Sequence, residues 1–292
     1  RCKKMPVIFV FLSVVVIWST TPLAIVWSTL GSSHSFGVAL RMVIGLSVCL
    51  LILLIKQQKL TFSVSSLWNY FYAGLGVFIT MSLVYYASQN LDSGIISIVF
   101  GLTPIVTGVF AFMLLNDKFF SFNKIMGLLL GLGGLIVIFN QSLNESKDLL
   151  RGLLAVTLAM GFQAFISVKL KQINTQISAL ETTTGALLFS TPLFIVMWFI
   201  NEGTIPEISL KAALSIGYLS IFGSVIGFMA YYHLIKHANV RVVGIVPLIT
   251  PVFALLLGLL LNNETLTLIQ LGGIALVLFG LGYYEYGSKR RF

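Results

Sequence analysis

Few side chains in this sequence are equipped for chemistry, and those few suit binding better than bond-making. No Gly-x-Ser-x-Gly, no His-Glu-x-x-His and no nucleotide-binding loop is present. An enzyme would need a buried nucleophile with its base, and the sequence offers no such pair. Cys2 and Cys49 have neither disulfide nor metal spacing, so no cofactor and no metal is expected. What remains is a set of aromatic and neutral polar residues inside apolar runs: Trp18, Tyr85, Thr103, Phe162, Gln163, Tyr231 and Thr250. Aromatic faces stack, while hydroxyls and an amide exchange hydrogen bonds, which is the equipment for holding a small molecule without reacting with it.

Each of these residues also has a plainer use. Tyr85 and Tyr231 open tyrosine pairs near the ends of their runs, where aromatic belts are common. Gln163 is the one amide deep inside a run and serves equally as a link between helices. Thr103 and Thr250 precede Pro104 and Pro251. A proline there frees the carbonyl four residues back, near Phe100 and Pro247, to line a polar cavity or to be met by a neighbouring helix. Arg41 is the one basic residue inside a run. It keeps its proton, so it must pair, meet carbonyls or snorkel outward, as a structural anchor or as the ligand of a substrate carboxylate. Asp117 and Glu264 precede apolar runs, where a negative charge suits a helix N-terminus.

The elements that carry these residues follow from composition. Charged residues make up 9% and apolar types 58%, against about 25% charged in soluble domains. Runs of some twenty residues cross the ~30 Å hydrocarbon core as helices. They fall near 6–27, 34–55, 67–88, 91–115 and 122–139, then 150–170, 178–200, 208–235, 239–261 and 265–286. The first is long for the core of a signal peptide and is read as a span. The fold class is therefore all-α, a polytopic membrane protein with ten transmembrane helices. The net charge of +9 is not a nucleic-acid signature, because its placement follows membrane topology. Fourteen Lys and Arg lie on the side of the N-terminus, three lie opposite, and Arg41 lies within a span. Both termini are expected in the cytoplasm.

The chain states its plan twice. Tyr85-Tyr86, Thr103-Pro104, Asn116-Asp117 and a glycine-rich run return as Tyr231-Tyr232, Thr250-Pro251, Asn263-Glu264 and a second glycine-rich run. Tyr86 matches Tyr232 at 146 positions and Pro104 matches Pro251 at 147. Two fused copies, 1–140 and 149–288, are implied. Five crossings per copy turn the second upside down, and inverted repeats are the architecture of secondary transporters with a midplane site. That site is expected between spans 1, 3, 4 and 6, 8, 9. All nine acids fall in loops or near span ends, with Glu181 about one turn into its span and His233 near the end of another. Facilitated diffusion or exchange is therefore expected rather than proton antiport.

In this order, these motifs resemble the drug/metabolite transporter superfamily, as a ten-span protein with two EamA-type halves, along essentially the whole length. The early motifs fit as well: Trp18–Pro22 reads WSTTP, and Arg41 lies in the second span. Ser19 stands where the family often has glycine, and Phe162-Gln163 where it often has Trp-Ala. The resemblance implies an exporter of small metabolites such as amino acids, in the bacterial inner membrane, as monomer or homodimer. The alternative within the superfamily is a lipid flippase, which needs a lateral opening and basic residues at headgroup depth. Gly127-x-x-x-Gly131 suits close helix packing, within the bundle or across a dimer.

Overall fold

The computed structural model describes residues 7–30, 33–115, 122–145, 147–173, 175–237 and 240–289. Every element among them is helical. The first half consists of α1 (Val7–Ser28), α2 (His34–Ile55), α3 (Val64–Ala87), α4 and α5 (Phe122–Glu145), with α4 split into α4a (Ser93–Gly101) and α4b (Thr103–Leu115). The second consists of α6 (Lys147–Ile173), α7 (Ala179–Asn201), α8, α9 (Val240–Leu261) and α10 (Leu268–Lys289). Here α8 runs as α8a (Leu210–Tyr218), a π-helical stretch (Leu219–Ile226) and α8b (Gly227–His237). Among the described residues, seven of the ten segments are long and apolar enough to cross a membrane. Shorter apolar helices account for α5, α9 and α10.

Serines begin four of these helices. Ser33 accepts from the Phe36 amide, Ser63 from Ser66, Ser178 from Glu181 and Ser209 from Ala212, each at 3.2 Å. An oxygen on the N-cap meets an amide that has no partner inside the helix. These caps recur at half-length, Ser33 with Ser178 and Ser63 with Ser209. Glu181 completes a capping box with Ser178 and accepts from the Thr61 hydroxyl at 2.8 Å. Its carboxylate is therefore tied up at a helix end.

Helix packing follows a pseudo-twofold exchange of the halves. The partners α2 with α7, α4 with α9, and α5 with α10 lie on the pseudo-axis. The α3–α6 contact is answered by α8–α1, and α4–α6 by α9–α1. Along α5 and α10 the backbones nearly touch. A Cβ on Gly134 would lie 2.5 Å from the Gly273 carbonyl oxygen, and one on Gly280 2.7 Å from that of Gly127. The glycine spacing thus serves packing inside the bundle. Outward, Leu54, Ile55, Leu260 and Leu268 are more than 70% exposed, an arrangement suited to lipid and not to water.

Candidate functional site

Arg41 makes the most consequential contact between the halves. It lies seven residues into α2 and is 1% exposed. Its Nε donates to Ser224 Oγ in the π stretch at 2.9 Å, and Nη1 reaches the Tyr85 hydroxyl at 3.5 Å and Met81 Sδ at 3.8 Å. Gly223 leaves room for it, since a Cβ there would stand 3.1 Å from Nη2. The guanidinium carbon sits 6.0 Å from the Tyr85 ring centre.

Among the described residues the one ion pair is Arg151–Asp148, at the surface, so no carboxylate compensates Arg41. Removing an ion from water costs several kcal/mol even after relaxation. Hydrogen bonds to neutral groups return about 1.5–3 kcal/mol each. The π turn that presents Ser224 is a rare backbone form, concentrated at functional sites. Small residues at Ser220, Gly223, Ser224 and Gly227 allow it to pack here.

The seven residues singled out in the sequence do not converge on one point. Tyr85, fully buried, belongs to the Arg41 group. Trp18 and Tyr231 meet across α1 and α8b with ring centres 4.5 Å apart. Beside them, Val10, Val14, Val15, Leu234 and Val246 form a separate apolar cluster. Gln163 Oε1 accepts from the Thr80 hydroxyl at 3.3 Å, joining α6 to α3. Phe162 lies in a chain of rings, 6.2 Å from Phe165, which is 5.6 Å from Phe110.

At the first proline, the Phe100 carbonyl finds a partner in its own turn: Thr103 Oγ1 donates to it at 2.5 Å. The helix breaks at Leu102, and threonine repairs the bond that Pro104 removes. Thr250 is buried in α9, which continues through Pro251.

The end of the bundle that holds Glu264 has its own polar group. Asn263 takes a left-handed φ of 51° and turns the chain back, so that the Glu264 amide meets the Gly258 carbonyl at 3.2 Å. The Glu264 carboxylate then accepts from the Ser93 amide (3.0 Å), the Ser93 hydroxyl (2.6 Å), the Gly94 amide (3.2 Å) and Asn262 Nδ2 (3.1 Å). Glu264 is an N-terminal cap, but of α4a in the other half and not of the helix that follows it. The reason is local: α10 begins four residues later, and Thr267 with Gln270 supplies its cap. Asp117, the matching acid, lies outside the described residues. Burial, and then the Glu264 charge, push the neighbouring Asp92 carboxyl up to about 6.

Close by, Trp27 Nε1 donates to Asn262 Oδ1 at 2.8 Å, and the Lys211 ammonium lies 4.1 Å above the Trp27 ring. Below them a cavity of about 380 Å³ runs between α1, α8a and α9. Thr20 and Tyr218, whose hydroxyls are 2.6 Å apart, lie on its wall. None of the seven singled-out residues lines it. Lys211 and Trp27 left one trace in the sequence, as a basic residue three positions into the span at 208–235 and an indole that closes the span at 6–27.

Several known proteins that this chain resembles are named as uncharacterized transporters. The model of the EamA-like transporter family matches twice, at residues 5–140 and 150–284. An uncharacterized transporter of Buchnera aphidicola is 24% identical over 97% of both chains. The inner membrane transporter YedA of Escherichia coli K12 is 31% identical over 69% of this chain and 66% of its own length. The transporter YoaV of Bacillus subtilis is 27% identical over 86% of this chain and 87% of its own. A solved crystal structure, 18% identical, superposes over 97% of this chain and 98% of its own with a TM-score of 0.70.

Proposed function

Since the chain belongs to the EamA-like transporter family, we propose that this integral membrane protein is a secondary transporter that exports small metabolites, amino acids among them, across the bacterial inner membrane. The halves 1–140 and 149–288 exchange conformations in alternating access, with both termini in the cytoplasm. The observation that carries the substrate class is the uncompensated guanidinium of Arg41 where the halves meet, bonded to Ser224 of one half and near Tyr85 of the other. A substrate carboxylate supplies the missing charge, and a bidentate pair with arginine fixes its orientation. Trp18 and Tyr231 then act as an aromatic barrier on the cytoplasmic side. Phe162, Gln163, Thr103 and Thr250 line the route as the halves part.

The positions of the described acids favour coupling without a carboxylate at mid-membrane: Asp92, Asp148, Glu181, Glu202, Glu207 and Glu264 stand at helix ends or in loops, Glu145 ends α5, and Glu285 lies four residues from the end of α10. Transport is by facilitated diffusion or exchange. The test loads proteoliposomes with a labelled amino-acid mixture and follows efflux with and without a pH gradient at zero potential. The expected result is efflux that external unlabelled substrate accelerates and the gradient leaves alone. Uphill movement driven by the gradient would overturn the coupling, and failure of every amino acid to move would overturn the substrate class.

A further inference from the structure

The cavity beside Trp27 opens sideways. Its inner wall is the buried face of α1, with Leu23 and Ala24 at 3% and 6% exposure. Its rim is formed by Leu214 of α8a and Leu261 of α9, which are 66% and 55% exposed. Exposed leucines on the two flanking helices, Leu214 one turn into α8a and Leu261 at the end of α9, put the mouth on the outer side of the bundle, close to the end that carries Lys211. The walls are mostly apolar, with Lys211 at one end, the Thr20–Tyr218 hydroxyl pair at the other, and Ser215 between them, its hydroxyl donated to the Lys211 carbonyl at 2.8 Å.

Depth can be read from Lys211. It is the second residue of α8a, where a lysine carries its ammonium to the headgroup region. The seven steps along the helix from Thr20 to Trp27 make the cavity about 10 Å long at 1.5 Å per residue. Its volume of about 380 Å³ is near the lower end of the roughly 300–1,000 Å³ that small-molecule sites enclose.

We propose that this cavity binds an amphiphile with one anionic head and one apolar tail, admitted sideways from the leaflet. The head rests on Lys211 Nζ beside the Trp27 ring, and the tail runs along Leu23 and Ala24 toward Thr20. The charge of the site is a single ammonium, which matches a carboxylate. The volume matches one chain and not the two of a phospholipid. Binding there does not depend on export, because it is measured without turnover and the site uses none of the residues assigned to the exported metabolite.

The experiment exploits Trp27. The chain has four tryptophans, and Trp18→Phe, Trp68→Phe and Trp198→Phe leave Trp27 as the reporter. The protein is placed in nanodiscs of zwitterionic lipid at alkaline pH and titrated with 2-bromododecanoate, whose bromine sits next to the carboxylate and quenches indole on contact. We expect quenching that saturates at low mole fraction, about ten-fold weaker binding in Lys211→Gln, restoration in Lys211→Arg, and loss in Ala24→Phe, which fills the floor. Quenching that rises in proportion to mole fraction and is the same in Lys211→Gln would mean bulk lipid contact and overturn the proposal. Displacement of the bound 2-bromododecanoate by phosphatidylglycerol but not by dodecanoate would overturn the single-chain assignment. A second measurement leaves the tryptophans intact. Leu214→Cys at the rim should be protected by dodecanoate from a membrane-permeant maleimide, and that protection should vanish when Lys211→Gln is added. Equal labelling with and without dodecanoate would count against the site.

Discussion

The two halves carry the same landmarks and put them to different uses. In the first half the Thr-Pro span breaks at Leu102, and Thr103 closes the broken turn; in the second, α9 passes through Thr250-Pro251 as one helix. The third span of the first half is α-helical throughout, whereas its counterpart, α8, carries a π stretch. The first half has Arg41 in its second span, while the matching helix α7 contains no basic residue. Arg41 then bonds to Ser224, inside the π stretch of the other half. A symmetric scaffold thus holds an asymmetric centre. Packing positions can be shared by both copies because they need only size, whereas the buried charge of Arg41 has no basic counterpart in α7.

The strongest challenge to the symmetric part of this comparison is steric. Gly134 meets the backbone of α10, whereas nothing lies within 4 Å of a Cβ built on Gly133. Gly134→Leu should cost more than about 3 kcal/mol or abolish folding, since even ordinary overpacking costs about 1–3 kcal/mol. Gly133→Leu should be neutral or stabilising, because leucine exceeds glycine in helix propensity by nearly 1 kcal/mol. Thermal unfolding in detergent separates them, and equal losses would dissolve the glycine contact as an explanation.

The asymmetric part is challenged at Arg41. Replacing an uncompensated buried charge with a hydrophobe of similar volume is often neutral or stabilising by about 1–4 kcal/mol. Arg41→Met should therefore keep or raise thermal stability while transport falls at least about ten-fold, which is about 1.4 kcal/mol. A parallel fall in both would return Arg41 to a packing role.

A smaller effect is expected where Glu264 of the second half caps the first. Glu264→Gln should cost about 1 kcal/mol through the weakened helix cap. It should also lower the pKa of Asp92, whose folded value of about 6 stands above the ordinary 3.8. The sign follows from proton binding: between those values the folded state holds the extra proton, so stability is highest below pH 3.8 and declines as pH rises to about 6. Asp92→Asn should flatten that slope, and a slope unchanged in Asp92→Asn would show that another group causes it.

The finest test sets Thr103 against Thr250. Thr103→Val removes the donor to Phe100 and should cost about 1 kcal/mol. Thr250→Val, in an unbroken helix, should cost less, and the reverse order in chemical denaturation would contradict the reading of the α4 break.

Much of the scaffold was legible because burial in lipid constrains composition directly. A membrane span needs some twenty apolar residues, and a doubled motif order needs only to be read twice. The half-length recurrence of Ser33 with Ser178 and Ser63 with Ser209 was equally available to pattern reading and marks helix starts that hydropathy leaves loose. The candidate site was less legible. Tyr85 and Arg41 stood out as polar residues in apolar runs, but their mutual contact crosses 44 positions, and Ser224 lies 183 positions from Arg41.

By itself, then, the sequence determined the class, the helices, the inverted doubling and the scarcity of charge at depth. These depend on local composition and on repetition along the chain. Tertiary structure alone decided that Glu264 caps α4a, that Thr103 serves its own turn, that Gly134 meets Gly273, and that Lys211 lies over the Trp27 ring at one end of a cavity. In each case a side chain of short reach is satisfied by whichever group packing brings within a few ångströms. The chain order does not encode that neighbour, because hydrogen bonds and van der Waals contacts fall off over distances far shorter than the spans that separate the partners.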